Sequence, residues 1–409
     1  MQEQTMSAQH PDWSEIHAIF GRDTNVGKFF QLLQNAGERS DPDSTFSRRY
    51  LPIVEETLRT REKVFLSILT RTQGRRPQEL REVFLCLSAQ TDMDFEILLI
   101  GHKVSEEQEK LIRSIIDEQT EDIRNRVRFL TVDYGNRTAP LNFGFAHARG
   151  EYVAILDDDD VVFDDWVEEF HAAARKHPGT LLHAYVAHQQ WMKLNKGRFQ
   201  GAVRACSSPN PMYCKPFSWP RQMHRNNCPT IGLAFPAAVF QQLGMIFDES
   251  LTTTEDWDYL QRVATLSGVT DIKKVTCIYR WWINTESSQT AHSKAEWNYN
   301  AELIHKKMLS RITLFPESGS RQILDIFCPP SVLEQYMETE EDQKNFVENL
   351  HFQYIKEIIG LYLKNKCKKM IGNQPDEIVH FRDIKKIIRL YIDKKKIRKV
   401  LHENERKPL

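Results

Sequence analysis

The spacing of apolar residues changes along the chain, and the changes outline its elements. Four short apolar runs read as buried strands: "KVFLSILT" from Lys63, "FEILLIG" from Phe95, "VRFLTVD" from Val127 and "EYVAIL" from Glu151. Between them, "QELREVFLCLSAQ" and "VSEEQEKLIRSIIDEQTEDIRNR" carry helical spacing, and "APLNFGFAHAR" predicts a shorter helix. Strands alternating with helices at these intervals predict a mainly parallel sheet covered by helices, an α/β fold.

Residues 1–60 read as a polar helical extension, with "WSEIHAIF" and "VGKFFQLLQNA" as helices and "GERSDPDSTFS" as a loop. The segment 183–235 is rich in Pro, Asn, Trp and Cys and reads as a long substrate loop rather than a layer of the core. Helical spacing returns at "PAAVFQQLG" and "DWDYLQRVATLSG", and "VTCIYRWW" predicts a last strand. The α/β domain is therefore set at 61–295, with a C-terminal helical region over 296–409.

Charge changes the picture of that last region. The formal net charge of the 409 residues is −1, yet from His351 to Leu409 sixteen Lys/Arg stand against seven Asp/Glu. "LHFQYIKEIIGLYLKNKCKKM" and "HFRDIKKIIRLYIDKKKIRKVL" are amphipathic with basic polar faces. Their first reading is packed helices with a solvated Lys/Arg face. The sharper one is peripheral docking on an anionic membrane surface. No nucleic-acid-binding motif accompanies the charge, so nucleic acid is not expected as a partner. The start, "MQEQTMSAQHPDW", lacks a signal-peptide pattern, and no apolar run approaches the ~18 residues of a membrane span. The seven cysteines show no C-x-x-C pair and fit reduced thiols. A cytoplasmic protein is the expectation.

Two acidic stretches carry candidate chemistry. "LDDDD" places Asp157, Asp158, Asp159 and Asp160 directly after a strand, where α/β folds bind ligands. Taken alone, the run reads as a solvated turn or helix cap, a Mg²⁺ or Mn²⁺ site, or a source of a catalytic carboxylate. A divalent ion would relieve the mutual repulsion. Further on, "FDESLTTTEDWDYLQRV" sets Glu255 and Asp256 at the start of an amphipathic helix, either as a cap or as a general base.

Three stretches in order resemble the family 2 glycosyltransferases, inverting enzymes with the GT-A nucleotide-sugar fold. They are "LSILTRTQGRRPQELREVFLCLSAQTDMDFEILLI", "RTAPLNFGFAHARGEYVAILDDDD" and "QQLGMIFDESLTTTEDWDYLQRV", and the resemblance runs over about 63–290. It implies a metal-dependent transfer of sugar from a nucleoside diphosphate donor to a hydroxyl of a glycan or lipid-linked acceptor. By that resemblance Asp157-x-Asp159 is the D-x-D element: Asp159 the direct metal ligand, Asp157 a ligand or a partner of the donor, with Asp158 and Asp160 in support. Asp256 matches the catalytic base, with Glu255 beside it. Arg71, Thr72, Arg137 and Asn142 match donor-binding positions. Asn226 and Asn227, in "HRNNCPTIG", fall where acceptor contacts are expected, and Trp282 is a further acceptor candidate.

Two stretches depart from the family pattern. "LLIGHKV" puts Gly101-His102-Lys103 where an acidic residue usually meets the nucleotide base. "YRWWINTESS" puts Trp282 where a histidine is common, with Arg280 and His292 as substitutes. Trp191, Trp219, Trp257, Trp281 and Trp282 are candidate sugar-stacking rings, with Trp257 reading first as core. A sugar nucleotidyltransferase or hydrolase on the same metal site is the rival enzyme, and a non-catalytic scaffold of glycan assembly is the rival outside enzymes.

Overall fold

The computed structural model describes residues 42–60, 64–194, 201–285 and 292–310, together with Ser320 and Gln322. The two helices expected before residue 41 and the basic C-terminal segments lie outside these residues. Two compact units divide at Ile323, and the second holds no described residue.

The first four strands are β1 (Val64–Thr72), β2 (Phe95–His102), β3 (Val127–Val132) and β4 (Gly150–Ile155). They pair in parallel, in the order β3-β2-β1-β4. β2 is buried at every position, which is why it reads as an unbroken apolar run. Side chains still alternate between faces: Leu66 and Ile68 join one core cluster, Leu69 the other.

Helices supply the covering layers. A π-helical turn over Phe46–Tyr50 runs into α1 (Leu51–Arg59), followed by α2 (Pro77–Ser88) and α3 (Glu106–Asp117). α4 (Glu121–Arg126), α5 (Ala139–His147) and α6 (Trp166–Lys176) complete the first half. α2 starts with proline, whose missing N–H costs nothing in the first turn, and buries Leu80, Val83, Phe84 and Leu87 along one face. A capping box between Ser105 and Gln108 fixes the start of α3. The long charged helix expected over 104–126 is thus two helices, α3 and α4, broken at 118–120. α5 lies so close to β1 that a Cβ on Gly144 would sit 2.2 Å from Leu69 Cδ1. Phe46, Tyr50 and Val54 are fully buried in the same cluster as Leu69 and Phe145. The segment just before residue 60 therefore belongs to the core of the α/β domain.

The second half reverses direction. β9 (Leu233–Pro236) runs antiparallel between β4 and β6 (Leu181–Lys193), and β10 (Val269–Trp282) lies parallel to β6. β5 (Val161–Val162) closes the far edge against β10; β7 (Val203–Ala205) and β8 (Asn210–Tyr213) pair with β6. Three helices lie among these strands: α7 (Trp219–His224), α8 (Ala237–Gln241) and α9 (Glu255–Ser267); α10 (Lys294–Ser310) follows β10.

The segment 183–235 is thus no loop: it contributes β6, the center of this half, and β9. Its polar residues misled the pattern because they are buried with distant partners. His183 Nδ1 meets Asp271 Oδ1 at 2.7 Å, and Gln189 Nε2 donates to the Ser207 carbonyl at 2.9 Å. No described helix is long and apolar enough to cross a membrane.

Candidate active site

The chain leaves β1 toward β2 and β3 on one side, then returns to β4 on the other. That switch opens a crevice beyond the carboxyl ends of β1 and β4. Arg71 and Thr72 close β1, and Asp157–Asp160 follow β4, so both reach it. Gln73, Arg75, Arg76 and His102 line the same wall.

The four aspartates are not equivalent. Asp157 accepts Arg71 Nε at 2.8 Å on Oδ1 and Arg71 Nη2 at 3.2 Å on Oδ2. Burial alone would raise its pKa, but Arg71, with Arg137 and Arg76, holds it below the ordinary value. Asp158 accepts the Thr72 hydroxyl at 2.6 Å and Arg76 at 3.3 Å. Burial and the neighbouring Asp159 charge still push it up to about 7. Asp159 pairs with Arg76; burial raises its pKa despite that cation. Asp160 accepts the backbone N–H of Arg280 at 2.9 Å, and burial together with Asp159 lifts it well above the carboxylate range. The raised values of Asp158, Asp159 and Asp160 mean that the arginines leave a surplus of mutual repulsion and burial cost on the run.

That surplus, on hard carboxylate oxygens, fits Mg²⁺ or Mn²⁺. Among the described residues no three His, Cys, Asp or Glu side chains converge as a cage. An ion here would take one or two carboxylates, with phosphate and water oxygens completing its shell.

The second acidic site opens α9. Thr254, just before it, holds a left-handed backbone (φ +61°), a conformation costly for a β-branched residue and one that recurs at functional sites. Glu255 is 1% exposed and forms ion pairs with Arg137 at 2.8 Å and Arg71 at 3.2 Å. Burial acts to raise its pKa, but the two guanidinium groups lower it overall. Asp256 differs: its Oδ2 accepts the Asn226 amide Nδ2 at 2.9 Å and its Oδ1 the Trp257 backbone N–H at 2.8 Å. Burial and the Glu255 charge push it up to about 6. Arg71 is the link between the sites, touching Asp157 and Glu255 at once.

Most predicted residues therefore converge: Arg71, Thr72, Arg137 and the four aspartates on one side, Asp256 and Asn226 on the other. Four placements differ from expectation. Asn142 is fully buried behind the crevice, donating to the Phe247 carbonyl and Glu249 Oε1 and accepting from the Phe247 N–H. It ties α5 to the loop after α8. Glu255, expected beside the base, is occupied by two arginines and positions them. Trp282 stands with the aspartates, close enough to lower the Asp159 pKa, whereas its neighbour Trp281 lines the Asp256 side. Asn227 bonds to the Arg221 and Arg225 carbonyls and lines a neighbouring cavity.

Arg76 was missed; its signal was the basic pair in "QGRRP" immediately past a strand end. Arg280 and His292 both line the Asp157–Asp160 crevice, Arg280 stacked on Trp191 at 4.2 Å. His102 does too, its Nε2 3.1 Å from the Tyr134 carbonyl and its pKa lowered by burial. Trp257 is core, with its indole N–H on the Gln222 carbonyl, and Trp219 is likewise buried.

Comparison with known proteins joins this geometry to a family. Residues 67–232 match the model of glycosyl transferase family 2. Over this segment, less than half of the chain, the protein is similar to the family 2 glycosyltransferases. The match holds Arg71, Arg76, Arg137, the aspartates and Asn226, and ends before Glu255 and Asp256. No curated protein matches the chain. Among solved structures, TarS 1–349 of S. aureus superposes with a TM-score of 0.45 at 14% identity, covering 69% of this chain and 78% of that one. Its complex with UDP-GlcNAc gives 0.47 at 15%, covering 68% and 77%. At such scores the fold rests on the strand order described above.

Proposed function

We propose that the chain is an inverting glycosyltransferase that moves a sugar from a nucleoside diphosphate donor to an acceptor hydroxyl, with Asp256 as general base. One observation carries the reading: two acidic sites line adjoining cavities that share Arg71, and Asp256 is held by a neutral amide and a backbone N–H rather than by an arginine. A carboxylate clamped by guanidinium groups is a poor proton acceptor. One held by a neutral amide, with its pKa raised to about 6, is suited to accept a proton near neutral pH.

The acceptor hydroxyl gives its proton to Asp256 as its oxygen forms a bond to the anomeric carbon. The bond from that carbon to the donor's phosphate oxygen breaks, and the nucleoside diphosphate leaves with the electron pair. One displacement from the opposite face inverts the configuration. Arg71, Arg76 and Arg137 offset the charge that develops on the leaving diphosphate. Asp159, with Asp157 in support, would hold Mg²⁺ or Mn²⁺, which supplies further neutralisation of that charge. Asn226 orients Asp256, and Glu255 keeps Arg71 and Arg137 in place.

A screen of sugar nucleotides, with UDP-GlcNAc, the ligand of the TarS complex, among them, tests the reading. Binding and slow hydrolysis are measured with and without Mn²⁺ or Mg²⁺. The expected result is metal-dependent binding of at least one donor; no binding under any metal condition would sink it. Hydrolysis untouched by loss of Asp256, with no transfer to any acceptor, would favour the hydrolase rival. A cytoplasmic enzyme docking on a membrane through its basic C-terminal segment is the setting this reading favours.

A further inference from the structure

Three cavities follow one another across the surface of the domain. The crevice of the aspartates shares Arg71, Arg137 and Tyr279 with the cavity that holds Asp256. That second cavity shares Tyr213, Arg225 and Asn226 with a third, of about 510 Å³. The first and third share no residue, so Asp256 stands between them.

The third cavity differs from the first in charge. Its wall includes Lys215, Arg221, His224 and Arg225, all exposed, and no Asp or Glu among the described residues. None of the four forms an ion pair with a described residue. Arg225 Nε reaches only the Asn227 amide oxygen, at 3.3 Å. Elsewhere around the site, arginines are matched to carboxylates: Arg71 to Asp157 and Glu255, Arg76 to Asp158 and Asp159. Unmatched cations gathered in a concave wall on one side raise the local concentration of anions.

We propose that this cavity binds an anionic group, phosphate or carboxylate, of the acceptor. The placement rests on the glycosyltransferase reading, because the donor's diphosphate belongs at the opposite end, with Arg71 and Arg76. An acceptor lying across the middle cavity presents its hydroxyl to Asp256. Its sugar passes along Tyr213 and Trp281, which suit stacking on a sugar face. Its charged group enters among Lys215, Arg221 and Arg225 and forms charge-assisted hydrogen bonds. Asn226 joins the two ends, since it holds Asp256 and lines the basic cavity.

Equilibrium binding to the full chain, without donor, tests this independently of turnover. Four probes are compared: a glycerol phosphate oligomer, a prenyl diphosphate-linked N-acetylglucosamine, an oligogalacturonate and neutral maltotetraose. The expected result is that at least one anionic probe binds about tenfold or more tightly than maltotetraose at about 50 mM salt, with the advantage shrinking at about 300 mM. The probe that wins separates polyol phosphate, lipid diphosphate and uronate as the source of charge. Lys215→Gln with Arg221→Gln should remove the preference and leave maltotetraose binding unchanged; restoring charge with Arg221→Lys should recover part of it. Equal binding of all four probes, or a preference retained in the double variant, overturns the proposal. Donor hydrolysis by the wild-type chain, measured without acceptor, reports separately on the glycosyltransferase reading.

Discussion

After β4, four aspartates meet arginines; at the start of α9, one aspartate meets an amide. Both sites are acidic and buried, and both line connected cavities, yet their surroundings divide the work. Asp157 and Glu255 are held low by Arg71 and its neighbours, while Asp256, beside the Glu255 charge, is pushed up to about 6. On the proposed reading, the partner of a carboxylate, more than its presence in a motif, separates charge-holding residues from a proton acceptor.

The comparison breaks first at Asp256. Asp256→Asn should lower transfer by about 10²–10⁴-fold, the usual worth of a positioned base, while donor affinity stays within a few-fold. Paired titration and single-turnover assays check both values. Arg71→Ala should damage both regions together, because it strands Asp157 and Glu255 without their shared cation. Breaking a buried pair of this kind costs about 3–5 kcal/mol. Denaturant unfolding should show that loss, and donor binding should fall with it. Asn226→Ala sharpens the contrast by removing the amide from Asp256 while leaving the arginine pairs of the first site in place, at the further loss of its bonds from Gln222 and the Cys228 N–H. Transfer should drop about tenfold below pH 6 and less above pH 8, since the unassisted carboxylate holds its proton to higher pH. Asn142→Ala has the smallest effect on function. It should cost about 1–3 kcal/mol of stability by leaving the Phe247 N–H and carbonyl unsatisfied, and leave donor affinity unchanged.

Strands β1 and β2 were legible because buried parallel strands expose no polar face, and β4 because Glu151 is its one exposed position; β3, half-buried at the sheet edge, still kept enough apolar residues to read as a strand. Both acidic sites were legible because each sits at an element boundary marked by composition. β6 was hidden: His183, His188 and Gln189 look like loop residues until Asp271, Asn210 and Ser207 satisfy them from elsewhere in the chain. The Arg71–Glu255 pair spans 184 positions, and no local pattern announces it. Asn142 misled for the opposite reason. It lies in a segment that approaches the crevice, but its side chain points back to the loop at Phe247. Thr254 gave no signal at all, because its left-handed backbone is imposed by its surroundings.

The pH dependence of the transfer rate, measured under saturating donor and acceptor in the wild type, Asn226→Ala and Asp256→Asn, tests the division of roles most directly. The account predicts an acid limb near pH 6 in the wild type, where Asp256 loses its proton and becomes competent. That limb should move upward in Asn226→Ala and vanish from the residual activity of Asp256→Asn. A limb that persists unmoved in Asp256→Asn would show that another group takes the proton, and would contradict the account.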